Sequence, residues 1–238
     1  MVKIPGGTFQ MGSNSGQRDE QPVHTVTVGA FLLGKTAVTV GQFEAFVSDT
    51  GYLTEAERGD GSVVFAGQGF DKRAAANWRN PGYQQDNRHP VTCVSWNDCL
   101  AFIQWLNTKT GKGYRLPTEA EWEFAARGGL PGDCYGNCDS IAWYGANSNM
   151  SAHPVAQKLP NAYGLYDMIG NVWEWCSDWY GPYSSSSQTN PTGSAAGSSR
   201  VNRGGAWYGP AIGCRASDRA KNTPDDRGNG LGFRLALD

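Results

Sequence analysis

Thirty-two of the 238 residues are glycine, roughly twice the usual share of about 7%. No other feature restricts the fold as much. A glycine inside a helix or strand costs about 0.5–1 kcal/mol relative to alanine, so a chain this rich in it must be built largely from turns and irregular loops. That excludes a coiled coil or a helical bundle. The loops still have material to pack on, because 9 Trp, 10 Tyr and 9 Phe supply large rigid side chains. Length fits one large domain or two small ones, and no linker invites a cut. With 20 basic and 22 acidic residues, the chain lacks the clustered positive charge that nucleic acid requires. No apolar run approaches the ~20 residues of a membrane span, and Met1–Gly7 carries no signal-peptide core. The expected location is cytoplasmic, or extracellular and surface-exposed if the sequence is the folded part of a longer chain. A monomer is expected.

The regular elements read from local signals. Val23–Val28 alternates with period two and predicts a half-buried strand. Thr39 with Gln42 forms a capping-box spacing for a helix that buries Phe43, Phe46 and Val47 and stops at Gly51. Residues 57–88 show no period and read as a long ordered loop. A second helix starts near Ser95, packs Trp96, Leu100, Ile103 and Leu106, and closes at Gly111. A third opens at Pro117-Thr118 with Glu121 three residues past the cap and runs to Arg127. Helices are expected only in the first 130 residues. Short strands are expected at 172–178, 203–208 and 232–237, and residues 183–200 read as an exposed low-complexity loop.

Six cysteines, at 93, 99, 134, 138, 176 and 214, are too dilute for a disulfide scaffold. Cys134 and Cys138 have the spacing of half a zinc site, but no second half follows. His24, His89 and His153 are scattered and read as packed or surface residues.

Four segments carry a longer pattern: Ile4-Pro5-Gly6-Gly7-Thr8-Phe9-Gln10-Met11-Gly12, Arg115-Leu116-Pro117-Thr118-Glu119-Ala120-Glu121-Trp122-Glu123, Asn161 to Trp175, and Arg203-Gly204-Gly205-Ala206-Trp207 closed by Leu231-Gly232-Phe233-Arg234. Together they resemble the formylglycine-generating enzyme (sulfatase-modifying factor) family over about residues 4–237. The resemblance implies an α+β, loop-rich C-type lectin-like fold in a single domain spanning 1–238. Trp122, Trp173, Trp175, Trp179 and Trp207 would supply its core.

The family's catalytic members oxidise a substrate cysteine to formylglycine with two C-terminal cysteines that hold copper, thiolates being suited to Cu(I). Counted from Gly204-Gly205, those positions fall on Gly209 and Cys214, and the family's serine falls on Ala206. Glycine offers no ligand, so no copper and no enzymatic activity are expected. The scattered histidines likewise fit no iron facial triad. Cys214 is then either a buried thiol or half of a disulfide with Cys176 or another cysteine. Copper oxidase and degenerate accessory domain stand as alternatives.

The last forty residues alternate a skeleton (Gly-Gly-Ala-Trp, Cys214-Arg215, Arg219, Pro224-Asp225, Arg227, Leu-Gly-Phe-Arg) with small and polar residues. This resembles the variable proteins of diversity-generating retroelements, whose adenine-rich codons are rewritten. An AAC codon changed at its first two bases reaches the residues at Tyr208, Gly209, Pro210, Ile212, Gly213, Asp218, Ala220, Asn222, Thr223, Asp226, Gly228, Asn229 and Gly230, but not Lys221. These fourteen positions, in a variable region of about 206–231, are expected to form one exposed ligand-binding surface. Trp207, Cys214, Arg215, Arg219, Arg227 and Phe233 would be buried or hydrogen-bonded scaffold. The expected partner is a protein or a surface glycan. Finally, Asp167 and Glu174 flank a Gly-Asn turn. The resemblance implies a structural calcium ion on their side chains and on the carbonyls of Gly170 and Val172, a donor set that suits calcium.

Overall fold

A computed structural model describes residues 1–238. Both chain ends finish on one strand. β1 (Val2–Ile4) and β12 (Ala236–Leu237) pair antiparallel with opposite edges of β4 (Phe31–Leu33), bringing Val2 and Ala236 opposite Leu33. A second sheet joins β2 (Gly7–Met11), β3 (His24–Val28) and β8 (Gln188–Thr189). The largest sheet has the order β10 (Arg219–Asn222), β9 (Arg200–Arg203), β7 (Trp173–Trp179), β11 (Leu231–Phe233). β5 (Ser62–Phe65) and β6 (Phe70–Arg73) form a separate hairpin.

Three helices are set by local chemistry. α1 (Val40–Thr50) and α4 (Glu119–Arg127) begin on the capping boxes of Thr39/Gln42 and Thr118/Glu121, and α3 (Trp96–Thr110) on Ser95/Asp98. α1, α3 and α4 are each followed by a left-handed glycine, at 51, 111 and 128, the residue that takes this conformation without steric cost. α1 and α3 pack through Phe43, Phe46 and Phe102, whose rings lie 5.4–5.8 Å apart. Phe102 faces α1, which turns Leu100 outward to 39% exposure, contrary to the packed role expected for it.

α4 runs through the larger core cluster beside β2, β3 and β7. Its Ala120, Trp122, Ala125 and Ala126 are buried, and so are Glu119 and Glu123. The charges are tolerated because each meets an arginine. Glu119 receives Arg219 at 2.6 and 2.9 Å. Glu123 receives Arg127 at 2.6 Å and also the guanidinium of fully buried Arg203.

Four expectations need correction. Residues 57–88 are not one loop, because they hold the end of α2 (Glu55–Arg58) and the β5–β6 hairpin. A short helix, α5 (Cys138–Ile141), lies beyond residue 130. The strand expected at 203–208 ends at Arg203, because Gly204 and Gly205 take φ of 103° and 77° and turn the chain. The strand expected at 232–237 is two strands in different sheets, β11 and β12.

Candidate functional site

The C-terminal segment supplies β10 and β11, the two edges of the largest sheet, and meets the β5–β6 hairpin where Gly228 pairs with Val63 and Asn229 accepts from the Phe65 amide. Between them run two adjoining cavities of ≈ 650 and ≈ 410 Å³. They share Phe70, Trp173 and Tyr208 and form one continuous groove. Phe65, Phe70 and Tyr208 make its aromatic wall, with ring centroids 5.1–5.2 Å apart in every pair. Burial pushes the Tyr208 hydroxyl up to about 12, so it remains protonated.

Ten residues lie between Tyr208 and Arg219, and Arg203 and Arg215 hold this stretch by its main chain. Arg203 donates to the carbonyls of Ser217 (3.0 Å) and Ala216 (2.7 Å). Arg215 donates to the Ile212 carbonyl at 2.8 Å and is bidentate to buried Glu20 at 2.6 Å. Arg227 binds the carbonyls of Gly61 (2.8 Å) and Asp225 (2.7 Å). Trp207 Nε1 donates to the Asn229 carbonyl at 3.1 Å. Trp207, Cys214, Arg219 and Phe233 are buried, while Arg215 and Arg227 are half-buried.

Of the fourteen positions, Pro210, Ile212 (77% exposed), Lys221 and Thr223 are exposed. Tyr208, Gly209, Gly213, Ala220, Asn222, Asp226 and Gly228 are half-buried. Asp218, Asn229 and Gly230 are buried, which corrects the expectation of a wholly exposed surface. Their burial has physical causes. Asp218 accepts from Gln17 at 3.2 Å and lies 3.7 Å from Arg215. Burial, the largest influence, raises its pKa to about 6. Asn229 Oδ1 accepts from the Phe65 backbone at 3.0 Å and ties the hairpin to the segment. Gly230 lies beneath Tyr208, whose ring would sit 2.3 Å from any added Cβ.

The groove gathers Tyr208, Gly209, Pro210, Ile212, Gly213 and Asp218 in one cavity. Ala220, Asn222, Asp226 and Gly228 line the other. Lys221 does not line it, because successive residues of a strand face opposite sides. Lys221 Nζ instead lies 4.6 Å from the centre of the Tyr180 ring. The sequence reading missed Ser15, Gln17, Phe65, Phe70 and Trp173 as lining residues. The hairpin had a signal: a β-branched run, Val63-Val64, bounded by a Gly-containing turn.

Cys176 lies on β7 in the core, fully buried. Cys214 packs in a different cluster, with Cys134 and Cys138 against it. All six cysteines are unpaired, and these three are not disposed as a metal-binding set. The copper pair counted from the motif does not fit these residues, since position 209 has no side chain and the thiol neighbours of Cys214 are Cys134 and Cys138.

The two acids expected to hold calcium are both buried. Asp167 takes φ 55° and is buried. Its Oδ2 accepts from Ala156 N at 2.8 Å, while Oδ1 has no hydrogen-bond partner. Burial raises its pKa to about 6. Glu174 Oε2 accepts from Trp122 and Arg234, and Oε1 from Arg234 alone. A carboxylate offers about four acceptor sites, so one remains on Oε1. The unpartnered Asp167 oxygen and the spare acceptor site of Glu174 are donors of the kind a hard cation takes, and Glu174 is already paired with Arg234.

The profile of the sulfatase-modifying factor enzyme 1-like domain matches residues 1–238. The formylglycine-generating enzyme of Streptomyces coelicolor is 39% identical over all of this chain and 88% of its own length. The Bos taurus protein named inactive C-alpha-formylglycine-generating enzyme 2 is 37% identical, over 99% of this chain and 87% of its own. Among solved structures, Treponema denticola variable protein 1 superposes with a TM-score of 0.81 at 31% identity, covering 100% of this chain and 94% of that one. These findings correct the expectation that the chain is not an enzyme. Relatives named formylglycine-generating enzyme share 36–39% identity over its whole length, so one missing thiolate does not remove it from an enzyme family.

Proposed function

The chain belongs to the sulfatase-modifying factor family, and from that premise we propose that it binds a ligand in the groove of segment 206–231, with side chains diversified by a retroelement. The ligand is another protein or a surface glycan. One observation carries the reading. On β10, Ala220 and Asn222 line the groove, while Arg219 and Lys221 do not. Arg219 is skeleton, and Lys221, the one changeable position a rewritten AAC codon does not reach, also faces away. The codon-reachable residues of the strand are thus the ones its pleat turns toward the groove. The rigid tyrosine and the small polar residues have the character of a binding surface, on loops held over a stiff scaffold.

The test probes glycan and protein arrays with the wild-type chain and with a Tyr208→Ala/Ile212→Ala variant. Array signals that the variant loses, with melting temperatures within a few degrees, are the expected result. Identical signals from both proteins, or none from either, refute the reading. A near-copy template repeat and a reverse transcriptase gene beside the coding sequence would support the retroelement origin independently.

The identity to formylglycine-generating enzymes favours a second reading, in which the groove receives a peptide whose cysteine is oxidised. Mass spectrometry of a cysteine peptide incubated with the chain would detect the aldehyde. For the structural metal, we propose calcium at Asp167 and Glu174 with the carbonyls of Gly170 and Val172. The ion would supply charge to a turn directly beneath Gly204, whose carbonyl accepts from Gly170 N at 2.7 Å.

A further inference from the structure

Three cysteines that the ligand-binding reading does not use converge beside the groove. Cys134 lies on the loop after α4, Cys138 opens α5, and Cys214 ends the turn formed by Ala211–Gly213. Cys134 Sγ donates to the Cys214 carbonyl at 2.9 Å. The Cys138 thiol is within hydrogen-bonding reach of both Cys134 and Cys214. Ile141, Ala142 and Ile169 surround the group. Cys134 and Cys138 are half-buried and reachable from solvent, whereas Cys214 is 2% exposed. The arrangement is a reachable thiol with a buried partner behind it and a third thiol alongside. Cys93, Cys99 and Cys176 are fully buried elsewhere and have no such neighbours.

We propose that Cys138 and Cys214 are a redox modification site that forms a disulfide by exchange with a small-molecule disulfide, with Cys134 as the competing thiol. In the first step the Cys138 thiolate attacks one sulfur of oxidised glutathione. A protein–glutathione disulfide forms and one glutathione thiolate leaves. In the second, the Cys214 thiolate attacks the Cys138 sulfur and displaces the second glutathione. Two protein thiols are oxidised and one glutathione disulfide is reduced to two thiols, so electrons balance, with two protons passing to solvent or to glutathione. Burial holds the Cys134 and Cys214 thiols up, at about 11 and about 12. The exchange is therefore slow at neutral pH and accelerates as pH rises, because the thiolate is the nucleophile. The Cys138–Cys214 bond links residues 76 positions apart (214 − 138), whereas Cys134–Cys138 closes a loop of a few residues. A longer closed loop restricts the unfolded chain more, so the distant pair raises the melting temperature more than the short one would. Once formed, the bond fixes the turn that carries Ile212 along the groove wall.

The whole chain is incubated with oxidised glutathione at pH 8, quenched with an alkylating agent and mapped without reduction. The expected result is a peptide joining Cys138 to Cys214, loss of two of six thiols, and a melting temperature raised by several degrees. Cys138→Ser should abolish the cross-link, and Cys134→Ser should keep it. Both alter half-buried residues and leave Cys214 in place, and each variant's fold is checked by its melting curve before oxidation. A Cys134–Cys138 link alone, glutathione adducts alone, no thiol lost, or loss of the Cys138–Cys214 link in Cys134→Ser would each overturn the proposal. None of these readouts depends on a groove ligand, so the outcome is independent of the binding function.

Discussion

Replacing Arg203 with methionine should destabilise the scaffold while leaving the groove's own residues untouched. Arg203 is 0% exposed, and so is its partner Glu123. The substitution removes one buried charge from Glu123, which keeps only Arg127 and the Gly12 amide. It also strips the donors from the Ala216 and Ser217 carbonyls. Breaking a buried pair from one side costs about 3–5 kcal/mol. In a domain of this size each kcal/mol moves the melting temperature by about 2–4 °C, so a fall of roughly 6–20 °C is expected. Ile212→Ala gives the contrast: at 77% exposure it should cost within about 0.5 kcal/mol, or a degree or two. Both are read by scanning calorimetry at one pH and one protein concentration. The reasoning fails if Arg203→Met melts within two degrees of wild type, or if Ile212→Ala falls as far.

Asp178 is buried, and its pKa is raised to about 7, first by burial and then by the charge of Glu119. A carboxyl that binds its proton more tightly folded than unfolded loses stability as pH rises from about 4 through 7. The melting temperature should therefore decline over that window, and Asp178→Asn should flatten the decline; an equal slope in both proteins would count against it. Asn229→Ala leaves the Phe65 amide without its acceptor and should cost about 1–3 kcal/mol. Urea denaturation checks this, and a loss below 0.5 kcal/mol would return Asn229 to the changeable set. Chelation should lower the melting temperature and calcium should restore it, with both effects absent in Asp167→Asn; elemental analysis finding no metal would refute the calcium site.

The helices were legible because their signals are local. Thr39 with Gln42, Ser95 with Asp98, and Thr118 with Glu121 each satisfy their own helix start within three residues, and the terminating glycines stand in the sequence. The ends of the later strands were not legible. The run from Arg203 to Tyr208 ends in two strand-forming aromatics, yet the chain turns at Gly204 and Gly205, and position 204 must be glycine because an added Cβ would lie 3.0 Å from Trp122, a residue 82 positions earlier (204 − 122). The facing wall of the groove was hidden for a similar reason. Phe65 and Phe70 gain their role only where Asn229, 164 residues away, ties the hairpin down. Alternation fixed which residues of β10 face the groove, but that alternation is readable only once the segment is known to be a strand.

A chain that keeps its fold while one surface changes must hold that surface by groups that do not change. Here the holding bonds end largely on main-chain carbonyls: Ile212 through Arg215, Ala216 and Ser217 through Arg203, and Asn229 through Trp207 and Tyr83. A carbonyl oxygen is the same acceptor whatever side chain its residue carries. Substitution at 212 therefore alters the groove without removing a bond that positions it. The rule has a converse that marks its limit. Asp218 and Asn229 bond through their side chains, and Gly230 makes room for Tyr208 by having none. Asn222 and Asp226 join them, since Asn222 Oδ1 accepts from buried Asn202 at 3.0 Å and Asp226 Oδ2 accepts from Thr223 N at 2.9 Å. At these positions the codon argument and the packing disagree, and packing should win: viable variants will keep them while Ile212 and Ala220 vary. Deep mutational scanning read by folded abundance decides it, and tolerance at Asn229 equal to that at Ile212 would mean that the carbonyl bonds alone do not define the scaffold.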